Sequence, residues 1–439
     1  MYDRRALIAR RRRNLLLAAL AAFVLGIVVG AVSDRGDGGR PAAVIRDELA
    51  APGAGDRTVV DRLTVRQQVG QLIVLRFAGT TPPAYVLDAL RERRAAGVIL
   101  FRDNVTAPEQ LRALTRRLRR AGGRPLVAVD QEGGEIRIVP WAPPAASAPE
   151  QARAGSAGFD AEAAASALRA AGITVSLAPV GDVPSVAGAA LGARAFSDDA
   201  DAASAAMTAA VNGWRAGGVA ATAKHFPGLG GATVNTDDAP ATVTRSRAFS
   251  DDPETAAEAM AAAVRGWRAG GVAPTAKHFP GLGGATVNTD DGPATIDRSR
   301  AELEAVDLPP FAAAVDAGVP LVMIGHASYP ALDPERVASQ SPPILGDLLR
   351  GDLGFRGVVV TDSMEAAASL ATGSVTAVSE RAVRAGADLL LLTGQGSFAP
   401  VSRHLLATAR DSAGFRLRVR ESAARVLALR AGSGDTPAP

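Results

Sequence analysis

Lysine occurs only twice in this 439-residue chain, as Lys224 and Lys277, and every other strong base is arginine. Each lysine opens the same string, KHFPGLGGATVNTDD. An ammonium is a compact charge with three donors, which a planar guanidinium cannot replace in a crowded polar pocket. A lysine kept at two places in an arginine-rich chain therefore points to chemistry. Other residues of chemical interest share one kind of position. Asp130, Asp182, the Lys224-His225 pair, His326 and Asp362 lie at or just beyond the ends of short apolar runs. Any one of them could be a helix cap or a turn residue, but the recurrence points to a common site.

The elements that must hold these residues follow from the apolar pattern. Short runs bounded by turn residues occur at 70–77, 97–101, 125–130, 174–179, 218–225, 320–326, 357–362 and 387–392. Stretches of helical period, such as 108–120 and 311–317, separate them. Runs apolar on both faces and separated by helices imply a parallel sheet. Eight of them, counting one copy of the repeat described next, predict an α/β fold of the (β/α)8 TIM-barrel type, whose C-terminal strand ends carry the active site. An open doubly wound sheet is the runner-up, but no G-x-G-x-x-G turn follows the first run.

Residues 194–246 and 247–299 align without a gap, with 42 of 53 positions identical. Solenoids need at least about three stackable repeats, so this is one β/α segment of an ordinary domain present twice. A barrel closed on eight strands has a fixed shear, and one copy is expected to line the site while the other is displaced. Pro253 suits the first turn of a helix, which favours the second copy as the one in use.

Residues 1–40 carry eight arginines against three aspartates, so the rest of the chain has a net charge of −2 although the whole is +3. That balance, with 4% aromatic residues, argues against nucleic-acid binding. The basic segment precedes an uncharged apolar run of 18 residues, 15–32, which as a helix would span about 27 Å. The expectation is a single-pass membrane anchor with the remaining chain extracytoplasmic, or secretion if the run is cleaved. The expected organisation is 1–33 as basic flank and anchor, 34–61 as linker, 62–430 as barrel and 431–439 as a disordered tail. The absence of cysteine excludes disulfides and thiolate metal sites. Four histidines, two of them copies of one position, give no basis for a metal site, and no cofactor is expected. In KHFPGLGG the lysine precedes its glycines, the reverse of a P-loop.

The strings VGQLIVLRFAG, GVILFRDNV, VDQEGG, LAPVGDV, RAFSDD, KHFPG, VMIGHASYPALD and GFRGVVVTDSME, in that order between about residues 62 and 398, make the chain resemble glycoside hydrolase family 3, in particular its single-barrel bacterial β-N-acetylhexosaminidases. The resemblance implies a retaining glycosidase acting on N-acetylglucosamine-containing cell-wall glycans. It implies Asp362 as nucleophile, and Asp130, Arg194 or Arg247, Lys224-His225 or Lys277-His278, and His326 as sugar-binding groups. An ammonium among acceptors suits a sugar.

The chain departs from the family after KHFPG. Where the relatives have an Asp-His pair as acid/base, this chain reads LGGATVNTD, with Asp237, or Asp290 in the second copy, at the position of the histidine. Either could act as acid/base if its surroundings raise its pKa; the alternative is a turn aspartate. Two other functions stay open: a barrel that binds wall sugars without cleaving them, and a β-glucosidase of the same family.

Overall fold

The computed structural model describes residues 59–122, 124–181, 193–222, 224, 226–227, 253–269, 273–282, 285 and 287–432. Ten segments form a parallel sheet: β1 (Ile73–Leu75), β2 (Gly97–Ile99), β3 (Leu126–Val129), β6 (Val175–Ser176), β7 (Ala220–Ala221), β8 (Phe226–Pro227), β9 (Thr275–Phe279), β10 (Leu321–Ile324), β13 (Val358–Ser363) and β14 (Leu389–Leu392). Two antiparallel pairs stand apart from it, β4 (Gln131–Gly133) with β5 (Ile136–Arg137) and β11 (Ser328–Tyr329) with β12 (Asp333–Val337). The order in the large sheet is β7-β6-β3-β2-β1-β14-β13-β10-β9-β8.

Alternation along the strands divides the apolar side chains into two layers. Val74, Ile99, Ala128, Val358, Val360 and Leu389 form one cluster. Their chain neighbours, among them Ile73, Leu75, Val98, Val127, Val359 and Leu390, join the larger cluster shared with the helices. Successive side chains of a strand point to opposite faces, so the smaller cluster fills the concave side of a curled sheet. Val426 of the last helix, Ala413–Gly432, also joins it, with Leu429 packed alongside. Every run expected to be a strand contains one, because each is apolar on both faces and both faces are covered.

The repeat behaves differently from expectation. The sheet order begins and ends inside one stretch of chain: Ala220–Ala221 pairs with β6, and Phe226–Pro227, from the same copy, pairs with β9 of the second copy. Both copies therefore supply strand to the sheet among the described residues. A parallel strand left outside would expose a row of unpaired backbone groups, whereas pairing beside its own copy satisfies them. The register is Phe226 with Ala276 and Pro227 with Lys277, three residues out of step with the repeat. The helix of the second copy begins at Pro253, as its sequence suggested.

The expected membrane topology is corrected: among the described residues no helix is long and apolar enough to cross a membrane, and the run 15–32 lies outside them. The last helix extends to Gly432, into the segment expected to be a tail.

Candidate active site

Directly after β3, Asp130 and Glu132 stand two residues apart on an extended chain, which turns both side chains the same way. Gly133 makes the following turn with φ +116°, where an added Cβ would lie 2.5 Å from the Ala146 carbonyl oxygen. Between the two carboxylates sits Lys224, its Nζ 2.5 Å from Asp130 Oδ1 and 2.6 Å from Glu132 Oε1. Arg194 closes the cluster with a bidentate grip on Glu132, Nε and Nη2 each donating over 2.7 Å. Burial works against the Lys224 charge, but Asp130 and Glu132 more than compensate and hold its pKa well above the usual lysine value. Asp130 keeps 21% of its side chain exposed against 3% for Glu132, so Asp130 can meet a ligand while Glu132 braces the cluster from behind.

The second copy occupies different ground. His278, at the end of β9, places Nε2 3.3 Å from Asp362 Oδ2 at the end of β13, without a hydrogen bond between them. The other oxygen, Oδ1, accepts from the Ser363 amide at 2.8 Å. Burial alone would raise the Asp362 pKa; the neighbouring His278 ring and the Lys277 ammonium outweigh it and pull the carboxyl well below its ordinary range. Asp362 is thus an ionised carboxylate with 21% of its side chain reachable, which is what a nucleophile requires. At 3.3 Å, His278 is too near that carboxylate for the acid/base of a retaining pair, whose groups stand about 5–5.5 Å apart.

His326 is fully buried. Its Nε2 donates to the Ser363 carbonyl at 2.8 Å, which leaves Nδ1 to accept from Ser339 Oγ at 2.8 Å. Burial lowers its pKa, in keeping with a neutral ring. Both nitrogens are thus engaged inside the protein, one of them on the main chain next to Asp362.

Asp290 is exposed, in a loop whose Thr289 and Asp290 carbonyls accept from the Ala368 and Ala367 amides at 2.9 and 3.1 Å. Those amides begin the short helix Ala367–Leu370 after β13, so the loop is moored near the strand that carries Asp362. Asp182, His225, Asp237 and Arg247 lie outside the described residues.

The model of the glycosyl hydrolase family 3 N-terminal domain matches residues 64–245 and again 233–429. The overlap falls on the repeat. A β-hexosaminidase of Stenotrophomonas maltophilia is 34% identical over 333 residues, spanning 73% of this chain and 83% of the relative. The chain belongs to glycosyl hydrolase family 3. A β-hexosaminidase of Xanthomonas campestris pv. campestris is 32% identical, with 73% and 84% covered. Among solved family 3 structures, a β-N-acetylglucosaminidase from Paenibacillus sp. is 28% identical with a TM-score of 0.61, over 86% of this chain and 64% of that one. The β-N-acetylhexosaminidase from Beutenbergia cavernae is 29% identical with the same TM-score, over 84% and 99%.

Within this family 3 site, sequence reasoning missed Glu132 and Ser363. Glu132 had a signal, its two-residue spacing from Asp130. Ser363 had none, because it acts through its main chain.

Proposed function

We propose that the chain is a retaining glycosidase of the β-N-acetylhexosaminidase type, acting on glycans that contain N-acetylglucosamine. The observation that carries this reading is the partly exposed Asp362 carboxylate at the end of β13, 3.3 Å from the His278 ring. In the first step Asp362 attacks the anomeric carbon while the leaving oxygen takes a proton from the acid, giving a glycosyl-enzyme; water, deprotonated by the same group, then releases the sugar. Asp130, with Lys224 and Arg194 behind it, would orient the hydroxyls through charge-assisted hydrogen bonds. Asp290 is our candidate for the acid/base. We also read the curled sheet as a barrel joined through residues 220–227, since that run pairs at both ends of the strand order.

One observation favours a second reading. Asp290 is exposed, and an exposed carboxylate lacks the burial that commonly raises a catalytic acid's pKa; a barrel that binds such sugars without cleaving them fits that feature. Incubation of the full chain with chromogenic N-acetylglucosaminide and glucoside tests both. Release of chromophore from the N-acetylglucosaminide supports the glycosidase. Saturable binding of N-acetylglucosamine without release supports the binding barrel.

A further inference from the structure

We propose that the groove at the end of helix Pro108–Ala121 binds a compact multivalent phosphate anion of the diphosphate class. Arg116, Arg119 and Arg120 from the last turns of this helix, with Arg124 from the turn into β3, line an open cavity of about 320 Å³. That volume lies at the lower end of the range for small-molecule sites, about 300–1,000 Å³.

Charge sets this place apart from the rest of the surface. Residues 108–124 hold six arginines and one glutamate, in a chain whose net charge beyond residue 40 is −2. Arg112 pairs with Glu109 on the same helix, but among the described residues none of the four groove arginines is paired with a carboxylate. Cations in the last helical turn are favoured by the helix dipole, which accounts for Arg119 and Arg120. It does not account for Arg116, one turn before Arg120, where like charges repel, nor for Arg124 beyond the helix. Arg124 is also held in place: its φ is +56°, and its carbonyl accepts from Arg430 Nη2 at 2.7 Å.

Guanidinium forks match phosphate oxygens two by two and stay charged at any physiological pH. Four of them around one small cavity suit an anion carrying several charges on adjacent phosphates. The groove lies where β3 begins, whereas Asp130 follows the end of β3, so it sits at the opposite end of the sheet from the candidate active site and does not depend on the glycosidase reading.

The test is titration of the full chain with inorganic pyrophosphate by calorimetry, with ionic strength held constant by sodium chloride. Arg116→Gln/Arg120→Gln removes two groove charges; Arg112→Gln/Arg117→Gln removes two from the same helix outside the groove. Binding should weaken at least about tenfold in the first variant and less than about threefold in the second. Arg116→Lys/Arg120→Lys, which keeps charge without the fork, should fall between. No binding to the unsubstituted chain, or equal weakening in both glutamine variants, would overturn the proposal. Co-sedimentation with phosphatidylglycerol vesicles but not phosphatidylcholine vesicles, lost in the groove variant, assigns the phosphate to a lipid headgroup. Pyrophosphate binding without co-sedimentation assigns it to a soluble anion.

Discussion

Lys224 Nζ lies 2.6 Å from Glu132 Oε1, and the corresponding lysine of the repeat, Lys277, instead contributes its field to Asp362. Two copies of one string thus stand beside different carboxylates. The pairing register explains how: Lys277 is level with Pro227, three residues beyond Lys224 in the chain, and Lys224 bridges Val180 instead. The two lysines do not stand side by side.

Their substitutions should therefore differ. Lys224→Met leaves two carboxylates in a cluster that includes the nearly buried Glu132 and should cost about 3–5 kcal/mol of stability together with sugar affinity. Lys277→Met should keep most of the stability, cost about 1 kcal/mol or less, and lower turnover. Denaturant unfolding and sugar titration of the two variants check this, and matching losses in both would sink the division of roles.

Asp362 has a pH signature. Its folded-state pKa is depressed, so its contribution to stability is complete above the unfolded carboxylate value, about 3.9, and is lost as pH falls through the lower folded value. Asp362→Asn should lose less stability than the unsubstituted protein on acidification below about pH 5. Unfolding midpoints at a series of acidic pH values provide the comparison, and parallel curves would show that the carboxylate is not held ionised by the fold.

The strands were legible because apolar runs covered on both faces have few other uses. The rule that chemistry sits at strand ends singled out Asp130, Lys224, His326 and Asp362, but it says nothing about where a side chain points, and the His326 ring is buried with both nitrogens engaged. The roles of the two copies were not legible at all. Identical strings carry identical local information; what separates Lys224 from Lys277 is the neighbouring chain, Val180 beyond β6 for one and Pro227 of β8 for the other. Ring closure alone did not anticipate that both copies contribute strand, because it left out the backbone groups of the additional strand.

Away from the site, Asp388 is fully buried at the start of β14. It accepts from Arg350 Nη2 at 2.5 Å, Arg425 Nη1 at 3.3 Å, the Val359 amide at 3.0 Å and Ser422 Oγ at 2.9 Å, and it pairs with Arg418. Burial opposes its charge, but Arg418, Arg350 and Arg425 hold its pKa below the usual value. Asp388→Ala would strand three guanidiniums in the interior and should destabilise the fold by about 3–5 kcal/mol. A midpoint shift in denaturant equivalent to less than about 1 kcal/mol would mean that the cluster contributes little.

The central claim is that Asp362 forms a covalent bond to the sugar. Incubating the full chain with a 5-fluoro-N-acetylglucosaminyl fluoride, which slows release of a glycosyl-enzyme, and mapping the adduct by peptide mass spectrometry tests it most directly. The account predicts one added glycosyl mass on the peptide that contains Asp362, absent in Asp362→Asn, whose turnover should fall on the order of 10³-fold or more. Hydrolysis of the chromogenic substrate with the adduct on another residue, or undiminished in Asp362→Asn, would contradict it.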